Sequence, residues 1–231
     1  MLRADHCWDD VIDPDDKAIY AEFFNRSERV IGPRPALLAI DLYEKVYAGG
    51  PKPVREVNKD HPGSCGINAW TAIEPTKKLF AAARAAGIPI VYTTGNPNPR
   101  VVATNRQRRP DEAAGDGYRI WPDFAPQPGD LVIKKERASG FFGTPLTAHL
   151  QMLGVRSVIM CGESTSGCLR ASTVEGFSNG FHMSVAEECC YDRSILSHKI
   201  ALFDLHHKYA DVMHVEEIVA QLGTLTMKKA G

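Results

Sequence analysis

The segment Cys161-Gly162-Glu163-Ser164-Thr165-Ser166-Gly167-Cys168 runs from an apolar stretch through small residues to a cysteine that opens a new helical pattern. A thiol in the first turn of a helix has chemistry available to it. The free N–H groups and the dipole of the helix start favour a thiolate, lowering the thiol pKa from about 8.5. The same N–H groups can hold an oxyanion. The alternative is a small buried hydrophobe packed on a helix, and spacing alone leaves both readings open. Asp41 ends the run Ala36-Leu37-Leu38-Ala39-Ile40 abruptly. A carboxylate there either serves a site, caps a nearby helix or pairs with an arginine. Lys134 and Lys135 end the run Leu131-Val132-Ile133, and because strand side chains alternate, only one of the two can face a site. Thiol, carboxylate and ammonium are the parts of a nucleophilic acyl transfer: an attacking group, a base, and a cation for the charged forms.

These residues can meet only if the chain brings the ends of distant strands together. Short apolar runs at 36–41, 88–94, 130–134, 157–161, 182–186 and 211–213 read as strands. Helical patterns fall between them at 75–87, 144–153, 166–180, 194–209 and 215–222. Pro75 stands in the first turn of the first of these and Gly87 at its C-cap, with Leu79, Ala82, Ala83 and Ala86 as a narrow apolar stripe. This alternation predicts an α/β fold, an open six-stranded parallel sheet with helices on both faces in the Rossmann-like manner. Ligands bind such sheets outside the carboxyl ends of the strands, where Asp41, Lys135 and Cys168 fall. Residues 1–33 read as an N-terminal arm outside the sheet, and 34–225 as one catalytic domain. The irregular stretch 95–130 has the length of a functional loop.

The 231 residues include 27 Lys plus Arg and 28 Asp plus Glu, a formal net charge of −1, so there is no basic excess to draw nucleic acid. No apolar run approaches a membrane span, and the expectation is a cytoplasmic protein acting on a small molecule. Six cysteines at 7, 65, 161, 168, 189 and 190 form no C-x-x-C motif, which weakens a thiol-redox reading.

Three segments carry a resemblance: Ala36–Asp41, Val132–Ser139 and Cys161–Arg170. Together with His61-Pro62-Gly63-Ser64-Cys65-Gly66 and the segment Phe203–Val212, they resemble the isochorismatase-like cysteine hydrolases, and within them look like the N-carbamoylsarcosine amidohydrolase branch. The resemblance runs in order from about residue 17 to 220. It implies the three-layer fold of that group, with Asp41 as general base, Lys135 as catalytic lysine and Cys168 as nucleophile. It also implies a non-proline cis peptide between Glu163 and Ser164 and an oxyanion hole made by the Ser164 and Cys168 amides. Arg193 would anchor a substrate carboxylate, with Glu163 among the substrate-binding residues.

The activity so implied is hydrolysis of a C–N bond in a small linear amide or N-carbamoyl compound bearing a carboxylate, through a Cys168 thioester and with release of ammonia. Alternatives are a neutral ureido substrate of the biuret or triuret type, and a catalytically silent ligand-binding protein on the same fold. No cofactor is implied. The nicotinamidase branch carries an Asp/His metal set after the first strand, but residues 42–60 hold no histidine and His61 stands alone, so no metal is expected. The segment Leu42-Tyr43-Glu44-Lys45-Val46-Tyr47 also departs from the usual aromatic-rich sequence after the catalytic Asp. A homo-oligomer, dimer or tetramer, is expected from the fold, with the arm and the 95–130 loop as candidate contacts.

Overall fold

The computed structural model describes residues 5–23, 29–97 and 115–229. The middle of the 95–130 stretch and parts of the N-terminal arm lie outside the described residues. Six strands form one parallel sheet: β1 (Pro35–Ile40), β2 (Ile90–Gly95), β3 (Leu131–Lys135), β4 (Ser157–Gly162), β5 (His182–Cys190) and β6 (Asp211–Met213), in the order β3-β2-β1-β4-β5-β6. The expected α/β architecture is therefore the observed one. Every residue of β1 and of β4 is buried, as an unbroken apolar run requires when both faces of a sheet are covered. Leu37, Ala39, Tyr92 and Ile159 pack towards the helices Ile73–Ala86 and Val215–Lys229. Leu38, Ile40, Val91 and Met160 pack towards Leu146–Met152 and Ile195–Lys208.

Chain order reverses between β1 and β4, which makes their carboxyl ends the crevice where such sheets hold ligands. Register brings the relevant ends level: Ile40 pairs with Thr93 and with Gly162, and Gly95 pairs with Lys135. Gly162 has φ +110°, and a methyl group on it would lie 1.9 Å from the Ile40 carbonyl oxygen. Only glycine permits this approach of β4 to β1.

Two elements differ from expectation. β5 extends to Cys190 rather than ending at Ala186, because its interruptions by acid are answered. Glu187 accepts hydrogen bonds from His6 Nδ1 and the Cys7 amide, and Glu188 from His214 Nδ1 and the Val215 amide. A register shift between Met160 and Gly162 pairs Gly162 with Cys190, so the chain leaves the sheet beside β4 and delivers Asp192 and Arg193 to the same edge. The arm also does more than expected. It forms a helix, Pro14–Phe23, and seats Trp8, only 3% exposed, in the core under the helix Ile195–Lys208.

Candidate active site

Asp41 follows β1 with φ +56° and is 1% exposed. Its amide donates to the Thr93 carbonyl at 3.1 Å, and Thr93 Oγ1 donates to Asp41 Oδ1 at 3.0 Å. Oδ2 stands 2.7 Å from Lys135 Nζ, and the same ammonium lies 3.3 Å from Cys168 Sγ. The three residues drawn from the strand ends therefore meet in one buried cluster. Of the two lysines, Lys135 faces inward and Lys134 is exposed, as alternation requires.

Cys168 is not in the first turn of a regular α-helix. Thr165–Leu169 forms a π-helical turn with a kink at Gly167 (φ −115°, ψ −105°), and the α-helix Arg170–Ser178 starts after it. Asp192 secures the turn by accepting the Ser166 amide at 2.8 Å and the Ser166 hydroxyl at 2.7 Å. The electrostatics also depart from expectation. Burial and the Asp41 carboxylate push the Cys168 thiol up to about 12, against the pull of Lys135. Burial outweighs whatever the helix start contributes and favours the protonated sulfur. Burial likewise raises the Asp41 pKa above the usual carboxylate range, although Lys135, Cys168 and Thr93 all favour the charged form. Burial works against the Lys135 ammonium, but Asp41 and Cys168 outweigh it and hold its pKa above the ordinary lysine value. The arrangement sets a carboxyl group made more basic by burial beside an ammonium and a thiol whose proton burial favours.

A second group adjoins it. The peptide Glu163–Ser164 is cis, as the resemblance implied, and among the described residues the Ser164 amide makes no backbone hydrogen bond. Glu163, 2% exposed, accepts from Tyr43 Oη at 3.3 Å and Cys65 Sγ at 3.6 Å and pairs with Arg193 Nη1 at 3.1 Å. Burial raises the Glu163 pKa and Arg193 counters it. Arg193 also donates to Ser164 Oγ at 3.4 Å and to the Gly63 carbonyl. Asn58 shapes that loop: its Oδ1 accepts the Gly63 amide, and its Nδ2 donates to the carbonyls of Val54 and Ser64. Sequence reasoning missed Thr93, Tyr43 and Cys65. Thr93 alone carried a signal, as a polar side chain at a buried strand end.

Among the described residues, His6, Glu187 and His214 offer ligand atoms within 4.8 Å of one another. Their ring nitrogens are committed. Arg29 Nη1 stands 2.7 Å from His6 Nε2, which must accept, leaving Nδ1 to donate to Glu187. His214 faces acceptors with both nitrogens, Glu188 Oε1 and the Asp5 carbonyl. The cluster is a hydrogen-bonded anchor for the arm.

The structure thus places a buried acid, an ammonium and a thiol at the switch point of a parallel α/β sheet. The chain belongs to the isochorismatase family: the isochorismatase domain matches residues 35–217. It is 34% identical over 198 residues to the maleamate amidohydrolase of Pseudomonas putida, covering 83% of this chain and 88% of that one. It is 30% identical over 205 residues to an N-carbamoylsarcosine amidase from Arthrobacter, covering 84% and 73%. The structure of N-carbamoylsarcosine amidase from Thermoplasma acidophilum shares the fold, with a TM-score of 0.62, 21% identity and coverage of 79% and 97%. No helix among the described residues is long and apolar enough to cross a membrane.

Proposed function

We propose that the protein is a cysteine-dependent amidohydrolase of small linear amides or N-carbamoyl compounds that carry a carboxylate. One observation carries this reading: a single ammonium lies 2.7 Å from a buried carboxylate and 3.3 Å from a thiol. Asp41 removes the Cys168 proton as the sulfur attacks the carbonyl carbon, and Lys135 stabilises the developing charge. Because the thiol starts protonated, transfer to Asp41 is coupled to attack. The carbonyl π bond becomes an oxyanion held by the Ser164 and Cys168 amides. Collapse breaks the C–N bond, and protonated Asp41 gives its proton to the departing ammonia. Water, deprotonated by Asp41, then attacks the thioester, and the released sulfur regains its proton.

The names of the relatives, maleamate amidohydrolase and N-carbamoylsarcosine amidase, support this substrate class, as does a guanidinium at Arg193. A second reading, a neutral ureido substrate, is favoured by the Glu163–Arg193 pair, which offers one acceptor and one donor to a group having both. The test is ammonia release from maleamate, N-carbamoylsarcosine and biuret by wild type and Cys168→Ala. Release by wild type that falls at least about 10³-fold in the variant is expected. No release from any of them, or release unchanged in the variant, overturns the reading.

A further inference from the structure

Resting on that reading, we infer that Tyr118 is a specificity-determining residue, whose ring closes the leaving-group side of the pocket and confines the departing amine to ammonia.

Successive side chains of a strand alternate between faces, so Thr93 and Gly95 of β2 share one face of the sheet. On that face Thr93 reaches Asp41 at 3.0 Å. Gly95 lies one step further towards the carboxyl edge and pairs with Lys135, whose ammonium stands 2.7 Å from Asp41. A ring fills the space where Gly95 lacks a side chain. A methyl group there would lie 2.5 Å from Tyr118 Cε1 and 2.6 Å from Tyr118 Cδ1. Tyr118 therefore stands just beyond the Asp41–Thr93 contact, on the face and at the edge that carry the acid and the ammonium.

The ring is held there from several sides. Thr94 Oγ1 donates to the Tyr118 carbonyl. The Glu44 amide donates to the Arg119 carbonyl at 2.9 Å and the Trp121 amide to the Leu42 carbonyl at 2.8 Å, which ties the chain after Tyr118 to the segment that follows β1. Tyr118 packs edge-on against Tyr43, with centroids 5.2 Å apart and planes at 86°. Tyr43 Oη in turn donates to Glu163 at 3.3 Å. The two rings make one wall, running from the Lys135 side of the pocket to the Glu163–Arg193 pair.

In the proposed reaction the C–N bond breaks as the Asp41 proton passes to the leaving nitrogen. That nitrogen must lie within reach of Asp41, while the acyl part extends towards Arg193. A primary amide then releases ammonia. An N-methyl amide would release methylamine by the same steps, but its methyl group projects past Thr93 into the space over Gly95, where the Tyr118 ring stands.

The experiment compares kcat/KM for the primary amide that the wild type hydrolyses fastest with kcat/KM for its N-methyl analogue, following the acid product common to both. The enzymes are wild type, Tyr118→Phe, which keeps the ring, Tyr118→Leu and Tyr118→Ala. The ratio between the two substrates does not depend on the fraction of enzyme folded, so it reads the shape of the pocket and not stability. One methyl group against a pocket wall changes such a ratio about ten- to two-hundredfold. Wild type and Tyr118→Phe should disfavour the N-methyl amide by that factor. Tyr118→Ala should recover most of it, with methylamine released in step with the acid, and Tyr118→Leu should fall between. Where Tyr118→Ala fails to fold, Tyr118→Leu carries the same comparison. A wild type that takes both amides equally, a ratio unchanged in the Ala and Leu variants, or a ratio raised as much in Tyr118→Phe would each overturn the inference. A wild type that hydrolyses no amide would instead sink the parent reading.

Discussion

Thr93 Oγ1 donates to Asp41 Oδ1 at 3.0 Å from the strand that lies between β1 and β3. The hydrogen bond fixes one carboxylate oxygen, leaving the other for Lys135. Thr93→Val keeps shape and burial but removes the donor. It should raise the Asp41 pKa further, because the charged form loses a hydrogen bond worth about 1.5–3 kcal/mol. The acidic limb of the kcat/KM–pH profile then moves to higher pH, and activity at neutral pH falls about tenfold. An acidic limb that stays in place would show that Asp41 is not the group being titrated.

Lys135 and Asp41 are 6% and 1% exposed and 2.7 Å apart, so neither charge can be removed alone without cost. Lys135→Met leaves a buried carboxylate unpaired and should destabilise the protein by about 3–5 kcal/mol. Adding Asp41→Asn removes that charge and should recover most of the stability while activity stays lost. Urea denaturation of the two variants checks this. A double variant no more stable than Lys135→Met would mean that the pair is not energetically coupled.

Much of this site was legible because its parts sit at strand ends. An apolar run cut off by Asp41, another ending at Lys135 and a Gly-rich turn into Cys168 all follow from a parallel sheet whose ligands bind at one edge. The cis peptide came with the resemblance alone. Three things were hidden. The reach of β5 to Cys190 depends on Glu187 and Glu188 finding partners on the arm and on the last helix, contacts between residues about 180 and about 25 positions apart. The burial of Trp8 depends on the same docking. The thiol's elevated pKa depends on how deeply the π-turn sinks, which no local pattern reports.

That elevated pKa makes the thiol sluggish towards simple electrophiles. With the Cys168 thiol pushed up to about 12, iodoacetamide at pH 7.5 should label it more slowly than a free cysteine thiol, whose pKa is about 8.5. Turnover should nevertheless be efficient at that pH, because Asp41 accepts the proton only during attack. Labelling followed by intact mass, with Cys168→Ala as the blank, measures the rate. Labelling at Cys168 faster than the free thiol would mean a preformed thiolate and a different division of labour in the cluster.

His206 bears on stability rather than turnover. Burial, with His6, His207 and Arg29 nearby, pushes its pKa down to about 3, and its Nδ1 is buried with no hydrogen-bond partner among the described residues. The unfolded chain binds this proton near pH 6.5 and the folded protein does not until about pH 3. Its contribution to stability is therefore full above pH 6.5 and is lost progressively as pH falls towards 3, at up to about 1.4 kcal/mol per pH unit. His214 has the opposite sign. Burial opposes its charge, but Glu188, Glu187 and the Asp5 carbonyl raise its pKa. Its contribution is thus present below pH 6.5 and fades only as pH rises through its folded value. The arm is held most firmly between these two losses. His206→Leu removes the first, so urea midpoints measured from pH 7 to 4 should fall less steeply in the variant than in wild type. His214→Leu should instead remove stabilisation at every pH below the folded value of that histidine. Parallel acid limbs in His206→Leu and wild type would mean that some other group drives the acid transition.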